Sequence, residues 1–297
     1  MDNKIYLKTP AKINLSLDII GKLENGYHSI KTVMQTIDLF DFITIEKINT
    51  RGISISSTKD FVPTDESNLV YKCAMAFFKL ANITNFSIHI HIEKHIPAQA
   101  GLAGGSGNGA GVIVGLNALF NTNFTLDILC SIGGKIGADI PFCIQGGTVL
   151  AEGIGEIITP IHPLCNCFIL TVKPQQGICT KQAFDGMDLS PIRKHPYTNL
   201  LIDSLILDDL TGIAKNMYNV LEEVAPLDEI KKIKNTMLTY GALGSIMSGS
   251  GSAVFGIFKD KTTAIQCMKK LSIEFDTIFL NKPVNYGATI LSINPSL

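Results

Sequence analysis

Apolar and polar residues alternate along much of the first half of the chain. Ile13, Leu15, Leu17 and Ile19 fall on one face of an extended segment, and Lys12, Asn14 and Ser16 on the other. Glu24-Asn25-Gly26 then reads as a turn. Further strands are predicted at about 31–39, 42–48, 53–57 and 86–92. The segment 68–81 carries apolar residues at helical spacing, with Asp65, Ser67 or Asn68 placed to cap it. A glycine-rich passage from Pro97 to Gly111 runs directly into the apolar stretch Val112 to Phe120, which predicts a loop leading into a helix. A second helix near 126–136 follows. Gly146-Gly147 and Gly153-Ile154-Gly155 punctuate a hairpin, and Pro160 and Pro163 interrupt the pattern, which places a boundary near 155–165. The second half mixes its elements. Strands are predicted at 166–173, 242–247, 253–258, 275–280 and 288–293, and helices at 179–185, 198–206, 213–224, 228–239 and 261–273. That order predicts an α+β protein and not a regular βαβ array.

Composition narrows the function classes. The 297 residues suffice for two domains, and 46% hydrophobic against 17% charged residues excludes general disorder. Twenty-six acidic and twenty-five basic residues give a net charge of -1, which argues against a nucleic-acid surface and leaves room for a small basic site. No apolar run reaches the ~18 residues of a membrane helix, and Met1 to Lys12 lacks the apolar core of a signal peptide. A soluble cytoplasmic protein is expected. Seven cysteines, odd in number and without a CxxC pair, read as reduced thiols. Cys165 and Cys167 lack a second ligand pair at zinc-like spacing. His89 and His91 alternate with isoleucines and read as the polar face of a strand.

Two glycine-rich segments carry candidate chemistry. In the first, glycines precede a helix whose unpaired N–H groups and partial positive charge suit an anion. Ser106 offers a hydroxyl there. No Gly-Lys-Ser/Thr ends the passage, so it is not a Walker A loop. The second, Met247-Ser248-Gly249-Ser250-Gly251-Ser252, lies between two apolar strand-like runs and taken alone is also compatible with a hairpin turn. Together the two suggest a polyphosphate ligand. Lys12 is read either as solvated on a sheet face or as part of that site. Asp139, embedded among small and apolar residues, is read either as a turn or capping group or as a functional carboxylate.

Pro10-Ala11-Lys12-Ile13-Asn14-Leu15, the passage 101–111 and the turn 247–252 occur in the order of the three motifs of the GHMP small-molecule kinases, which the chain resembles. Gly26-Tyr27-His28, Gly137-Ala138-Asp139-Ile140-Pro141-Phe142 and Thr180-Lys181-Gln182-Ala183-Phe184 are similar to the branch that acts on a cytidyl diphosphate-linked methylerythritol. The resemblance covers roughly residues 5 to 258. It implies an N-terminal, ATP-binding domain over 1–157, like ribosomal protein S5 domain 2, and a ferredoxin-like C-terminal domain over 158–297, with ATP and substrate in the cleft between. It implies catalytic roles for Lys12 and Asp139. ATP contacts are implied for Asn68, Lys94, Pro97, Gly101, Leu102, Ala103, Gly104, Gly105, Ser106 and Gly107, and substrate contacts for Asn14, Tyr27, His28, Thr180, Phe184, Ser248, Gly249 and Ser250. Tyr27 and Phe184 would stack on the base, and His28 would read its edge. Mg²⁺ is implied with ATP, without an assignable protein ligand. Ala103, Gly107 and Gly109 replace a glycine, a serine and an alanine of the usual loop. Two other readings stay open: a kinase of the same fold for a small alcohol such as homoserine or mevalonate, and a non-catalytic nucleotide-binding regulator.

Overall fold

The protein is described from a computed structural model over residues 2–189, 191–225 and 228–295. Two long antiparallel strands, β1 (Asp2–Lys22) and β2 (His28–Lys47), form its spine. The separate strands predicted at 31–39 and 42–48 are one, because β2 continues through an irregularity in the pairing. Pro10 lies opposite Phe40 and Ala11 opposite Ile37, so Asp38 and Leu39 are accommodated as extra residues. β3 (Gly52–Ser57), α1 (Leu69–Leu80) and β4 (Ser87–Glu93) follow, with β3 and β4 parallel as a crossover helix allows. Asn68 supplies the cap of α1, accepting from Val70 N at 3.0 Å.

Next come α2 (Gly104–Leu119), α3 (Leu126–Gly134), α4 (Asp139–Gln145), β5 (Thr148–Glu152) and β6 (Ile157–Pro160). The helix predicted to begin near Val112 starts eight residues earlier, so half of the glycine-rich passage is helical. The glycines are there for space. A Cβ at Gly111 would lie 2.6 Å from Ile43 Cδ1 and 2.7 Å from Thr9 Cγ2, and one at Gly115 2.7 Å from Ile45 Cδ1. The helix therefore lies directly on β1 and β2, which offsets the ~1 kcal/mol of helix propensity that each glycine costs.

The second part contains β7 (Phe168–Lys173), α5 (Thr180–Asp188), α6 (Thr198–Ile206), α7 (Leu210–Asn216), β8 (Tyr218–Asn219), a 3-10 turn over Val220–Val224, α8 (Asp228–Thr239), β9 (Gly244–Met247), β10 (Val254–Phe258), α9 (Lys261–Leu271), β11 (Thr277–Asn281) and β12 (Thr289–Pro295). The single helix predicted at 213–224 is broken after Asn216. There β8 pairs with Ser16 and Leu17 of β1, and Asn219 turns its amide onto the carbonyls of Met247 and Gly249. The second sheet has the order β11-β7-β10-β9, all antiparallel. With α8 and α9 as its connections this is the ferredoxin-like βαββαβ arrangement. The first sheet has the order β12-β1-β2-β4-β3, with β5 and β6 continuing from β2. β12 thus leaves the C-terminal sheet and pairs antiparallel with the first half of β1.

Burial explains why β1 spans both parts. Ile5 and Leu7 pack in one apolar cluster with α1 and α2. Ile13 and Leu15 pack in another with Ile169, Ile246 and Phe255 of the second sheet. One strand face therefore serves two cores in succession. Among the described residues no helix is long and apolar enough to cross a membrane.

The contact between α1 and α2 yields a test. A Cβ at Gly109 would lie 2.8 Å from Cys73 Sγ, in the fully buried seam between the helices. Gly109→Ala is expected to lower unfolding free energy by about 1–3 kcal/mol through overpacking. In the Cys73→Ala background the same change is expected to cost little or to stabilise, because the alanine gains helix propensity. Urea denaturation of the four proteins checks this, and additive effects would refute the contact.

Candidate active site

The three motif segments meet on backbone atoms. Lys12 N donates to Leu102 O at 3.1 Å, and Gly251 N and Ala253 N close the turn after β9 onto Ser248 O and Ala100 O. Ser248 Oγ donates to Gly101 O at 3.0 Å and lies 3.3 Å from Asn14 N. Gly101 has φ +71°, and a Cβ there would lie 2.0 Å from Ser248 O. Only glycine satisfies both conditions at once.

These contacts bury one face of β1 that would otherwise be solvated. Lys12, Asn14 and Ser16 are 4%, 2% and 0% exposed, so the reading of Lys12 as a surface lysine does not hold. Lys12 Nζ donates to Asn14 Oδ1 at 2.5 Å, Asn14 Nδ2 to Thr32 Oγ1 at 2.8 Å, and Thr32 Oγ1 to Ser16 O at 2.5 Å. That chain fixes the ammonium while leaving donors for a ligand. Asp139, the first residue of α4, places Oδ2 3.8 Å from Lys12 Nζ and keeps its side chain 36% exposed. Asp139 is half-exposed; it sits at a helix start, where a carboxylate is favoured, and it also faces a cavity.

That cavity has a volume of about 620 Å³. Its wall includes Lys12, Asn14, Asn68, Lys94, Pro97, residues 101–106, Asp139, Thr180, Phe184, Gly249 and Ser250. The N-terminal turn of α2 opens into it. The first intrahelical bond runs from Gly107 N to Ala103 O, so the amides of residues 104–106 precede the helix's own pairing, and no acidic side chain occupies that turn. Ala103 adopts φ 56° and ψ 26°, the left-handed conformation that glycine takes without strain. Among the described lining residues the two lysines face a single carboxylate, Asp139. Lys94 is paired with the buried Asp41 behind the wall, so the open amides of the α2 turn and Lys12 are what suit an anionic ligand.

The remaining sequence candidates divide. Gly107 lies under the helix against Thr9, and Ser248 is fully buried beneath the turn; neither reaches the cavity wall. Thr180 Oγ1 and Ser250 Oγ lie 2.9 Å apart across the two segments that carry them. Tyr27 is 59% exposed, and His28 stacks on Phe184 with ring centres 5.3 Å apart, one ring removed from the cavity. Phe184 is the aromatic of that trio on the wall.

One organising residue escaped the sequence reading. Asp41 is fully buried and accepts four hydrogen bonds: from Lys94 Nζ, from Asn108 Nδ2 at 2.9 Å, and from the amides of His95 and Ile96 at 2.7 and 2.8 Å. It ties the end of β4 and the Lys94 ammonium to α2. A Cβ at Gly104 would lie 2.6 Å from that ammonium. The signal was present, since Asp41 shares the parity of Leu39, Ile43 and Ile45 on β2, where a lone carboxylate demands partners.

Asp41→Asn leaves a buried ammonium uncompensated and is expected to cost about 3–5 kcal/mol in denaturant titration. Adding Lys94→Met is expected to restore much of that loss, because the apolar replacement needs no partner.

Comparison with known proteins places this geometry. Residues 68–147 match the GHMP kinases N terminal domain and residues 201–277 the GHMP kinases C terminal domain. A 4-diphosphocytidyl-2-C-methyl-D-erythritol kinase of Clostridium perfringens is 47% identical over 94% of this chain and 98% of its own. One of Clostridioides difficile is 43% identical over 96% and 97%. A crystal structure of 4-(cytidine 5'-diphospho)-2C-methyl-D-erythritol kinase superposes with a TM-score of 0.77 at 26% identity, covering 94% of this chain and 98% of that one. Homoserine kinase from Cytophaga hutchinsonii shares the fold, with a TM-score of 0.80 at 18% identity and 98% of both chains covered. The chain belongs to the GHMP kinases, in the family of the 4-diphosphocytidyl-2-C-methyl-D-erythritol kinases.

Proposed function

We propose that the protein transfers the γ-phosphoryl group of ATP to the 2-hydroxyl of 4-diphosphocytidyl-2-C-methyl-D-erythritol, a step in the methylerythritol phosphate route to isoprenoid precursors. The observation that carries this reading is one cavity that brings together Lys12, Asp139 and the N-terminal turn of α2. Phosphoryl transfer to an alcohol asks mainly for positioning and charge stabilisation. The turn holds the ATP phosphates on its amides, with Ser106 beside them. Asn68 and Lys94 line the nucleoside side. Lys94 is already neutralised by Asp41 and acts there as a fixed hydrogen-bond donor. Lys12, paired with a neutral amide and only distantly with Asp139, is the cation for the transferred group.

Asp139 orients the substrate hydroxyl and takes its proton late. Aspartate is a weak base for an alcohol, but a loose transition state needs no early deprotonation. Asn14, Thr180, Gly249 and Ser250 supply polar contacts to the methylerythritol diphosphate. Phe184 gives the cytosine a face to stack on, worth ~1–3 kcal/mol for a base on an aromatic.

The oxygen donors on the wall suit Mg²⁺, a hard cation that keeps several waters. Among the described residues no cluster of three or more His, Cys, Asp or Glu side chains suits a metal. Asp139 and the Ser106 hydroxyl are the oxygens on the wall that would help hold the ion if it arrived with ATP. When bound, it neutralises charge on the ATP phosphates.

Release of ADP from Mg-ATP is measured with the cytidyl substrate, homoserine and mevalonate offered separately. Turnover of the cytidyl substrate alone is expected; turnover of another alcohol instead would refute the substrate. No turnover by folded protein that still binds ATP would favour the non-catalytic reading. Asp139→Asn is expected to lower kcat by on the order of 10²-fold or more, with much less change in KM for ATP. An unchanged kcat would remove Asp139 from the mechanism.

A further inference from the structure

A carboxylate that reaches the cavity wall only through His28 and Phe184 has a place in no motif. Asp188, the last residue of α5, accepts from His28 Nε2 through Oδ1 at 2.8 Å and from Lys22 Nζ through Oδ2 at 2.5 Å. Lys22 closes β1 and His28 opens β2, while α5 carries Thr180 and Phe184. The hairpin of the first part is thereby joined to the helix of the second. The imidazole is held twice, by Asp188 at one nitrogen and by the Phe184 ring at its face, and its side chain is only 9% exposed.

We infer that Asp188 is a positioning residue for base selection: it takes up the Nε2–H of His28 and leaves Nδ1 as the nitrogen offered to the base. The inference rests on the proposal that a cytidyl group occupies this end of the cleft. A neutral imidazole has one N–H and one lone pair, and the partner of one nitrogen sets the role of the other. With Nε2–H engaged, Nδ1 is an acceptor. Among the described residues it has no hydrogen-bond partner. Cytosine presents an amino group on its pairing edge where uracil presents a carbonyl oxygen. The acceptor meets a donor in the first and a second acceptor in the other. Hydrogen bonds from Lys22 and His28 hold the Asp188 carboxyl below the usual carboxylate range, so it remains an acceptor at neutral pH. Lys22 bonds the other oxygen and steadies the carboxylate.

The test compares wild type, Asp188→Ala, Asp188→Asn and Lys22→Ala in initial rates with Mg-ATP. The acceptors are the cytidyl substrate and its counterpart with uracil in place of cytosine. Wild type is expected to favour the cytidyl form in kcat/KM by on the order of 10²-fold or more. Asp188→Ala is expected to raise KM for the cytidyl form about tenfold, to lower that preference about tenfold, and to leave KM for ATP within about twofold. Asp188→Asn, whose amide oxygen still accepts Nε2–H, keeps most of the preference, and so does Lys22→Ala. An unchanged preference in folded Asp188→Ala overturns the inference. So does a loss shared equally with ATP binding, or one reproduced in full by Lys22→Ala, since either marks a structural clasp. A wild type inactive on the cytidyl form removes the functional reading and the inference together, and it is recognised before any substitution is made.

Discussion

The contact on which the site depends is between two backbones. Gly101 approaches the Ser248 carbonyl so closely that no side chain fits between them, in a conformation that glycine adopts freely. This contact clamps the loop before α2 against the turn after β9, and both lie over Lys12 and Asn14. An ammonium taken out of water loses hydration that only specific partners can replace. Here the partners are Asn14 on the same strand and Asp139 from α4, and the amide of Lys12 is itself bonded to the loop. The cation, the anion-binding turn and the closing turn form one object, built from segments that start near residues 10, 101 and 247.

Much of this was legible in the sequence, for definable reasons. Strict alternation gave the second half of β1 and the strands β3 and β4, and helical spacing with Asn68 gave α1. The glycine-rich segments announced loops that approach something closely. The pattern could not show where α2 begins, because glycine disfavours a helix in isolation and here serves close packing on Ile43 and Ile45. Nor could it show that the polar face of β1 is covered, since the cover comes from loops roughly 90 and 235 residues away along the chain, and alternation reports one strand at a time. Asp41, Asn219 and Asp188 were missed alike. Each acts through partners distant in sequence, so its role exists only in the folded chain.

The departures from the usual loop separate into three cases. Ala103 takes the left-handed conformation and bears its strain at the entrance to the anion-binding turn. Gly109 makes room for Cys73, so the two positions must be read as a pair. That thiol is pushed up to about 12 by burial, which keeps it protonated and inert as packing. At Gly107 a Cβ would meet Thr9 Oγ1 at 3.5 Å, Thr9 Cβ at 3.6 Å and Pro10 O at 3.7 Å, all ordinary contacts, and Thr9 Oγ1 is itself a buried hydroxyl without a partner among the described residues. Space does not explain Gly107, and nothing in the structure explains it.

The pairing of β12 with β1 has a consequence for how the chain is made. The strand that covers the outer edge of β1 is translated about 290 residues after it. At ~5–20 residues per second the interval is roughly 15–60 s. Through that time the edge bearing Ile5 and Leu7 has its β2 partner on one side and an open row of backbone groups on the other. The apolar core under α1 and α2 can assemble before β12 is made, but its sheet is sealed only once β12 has been translated.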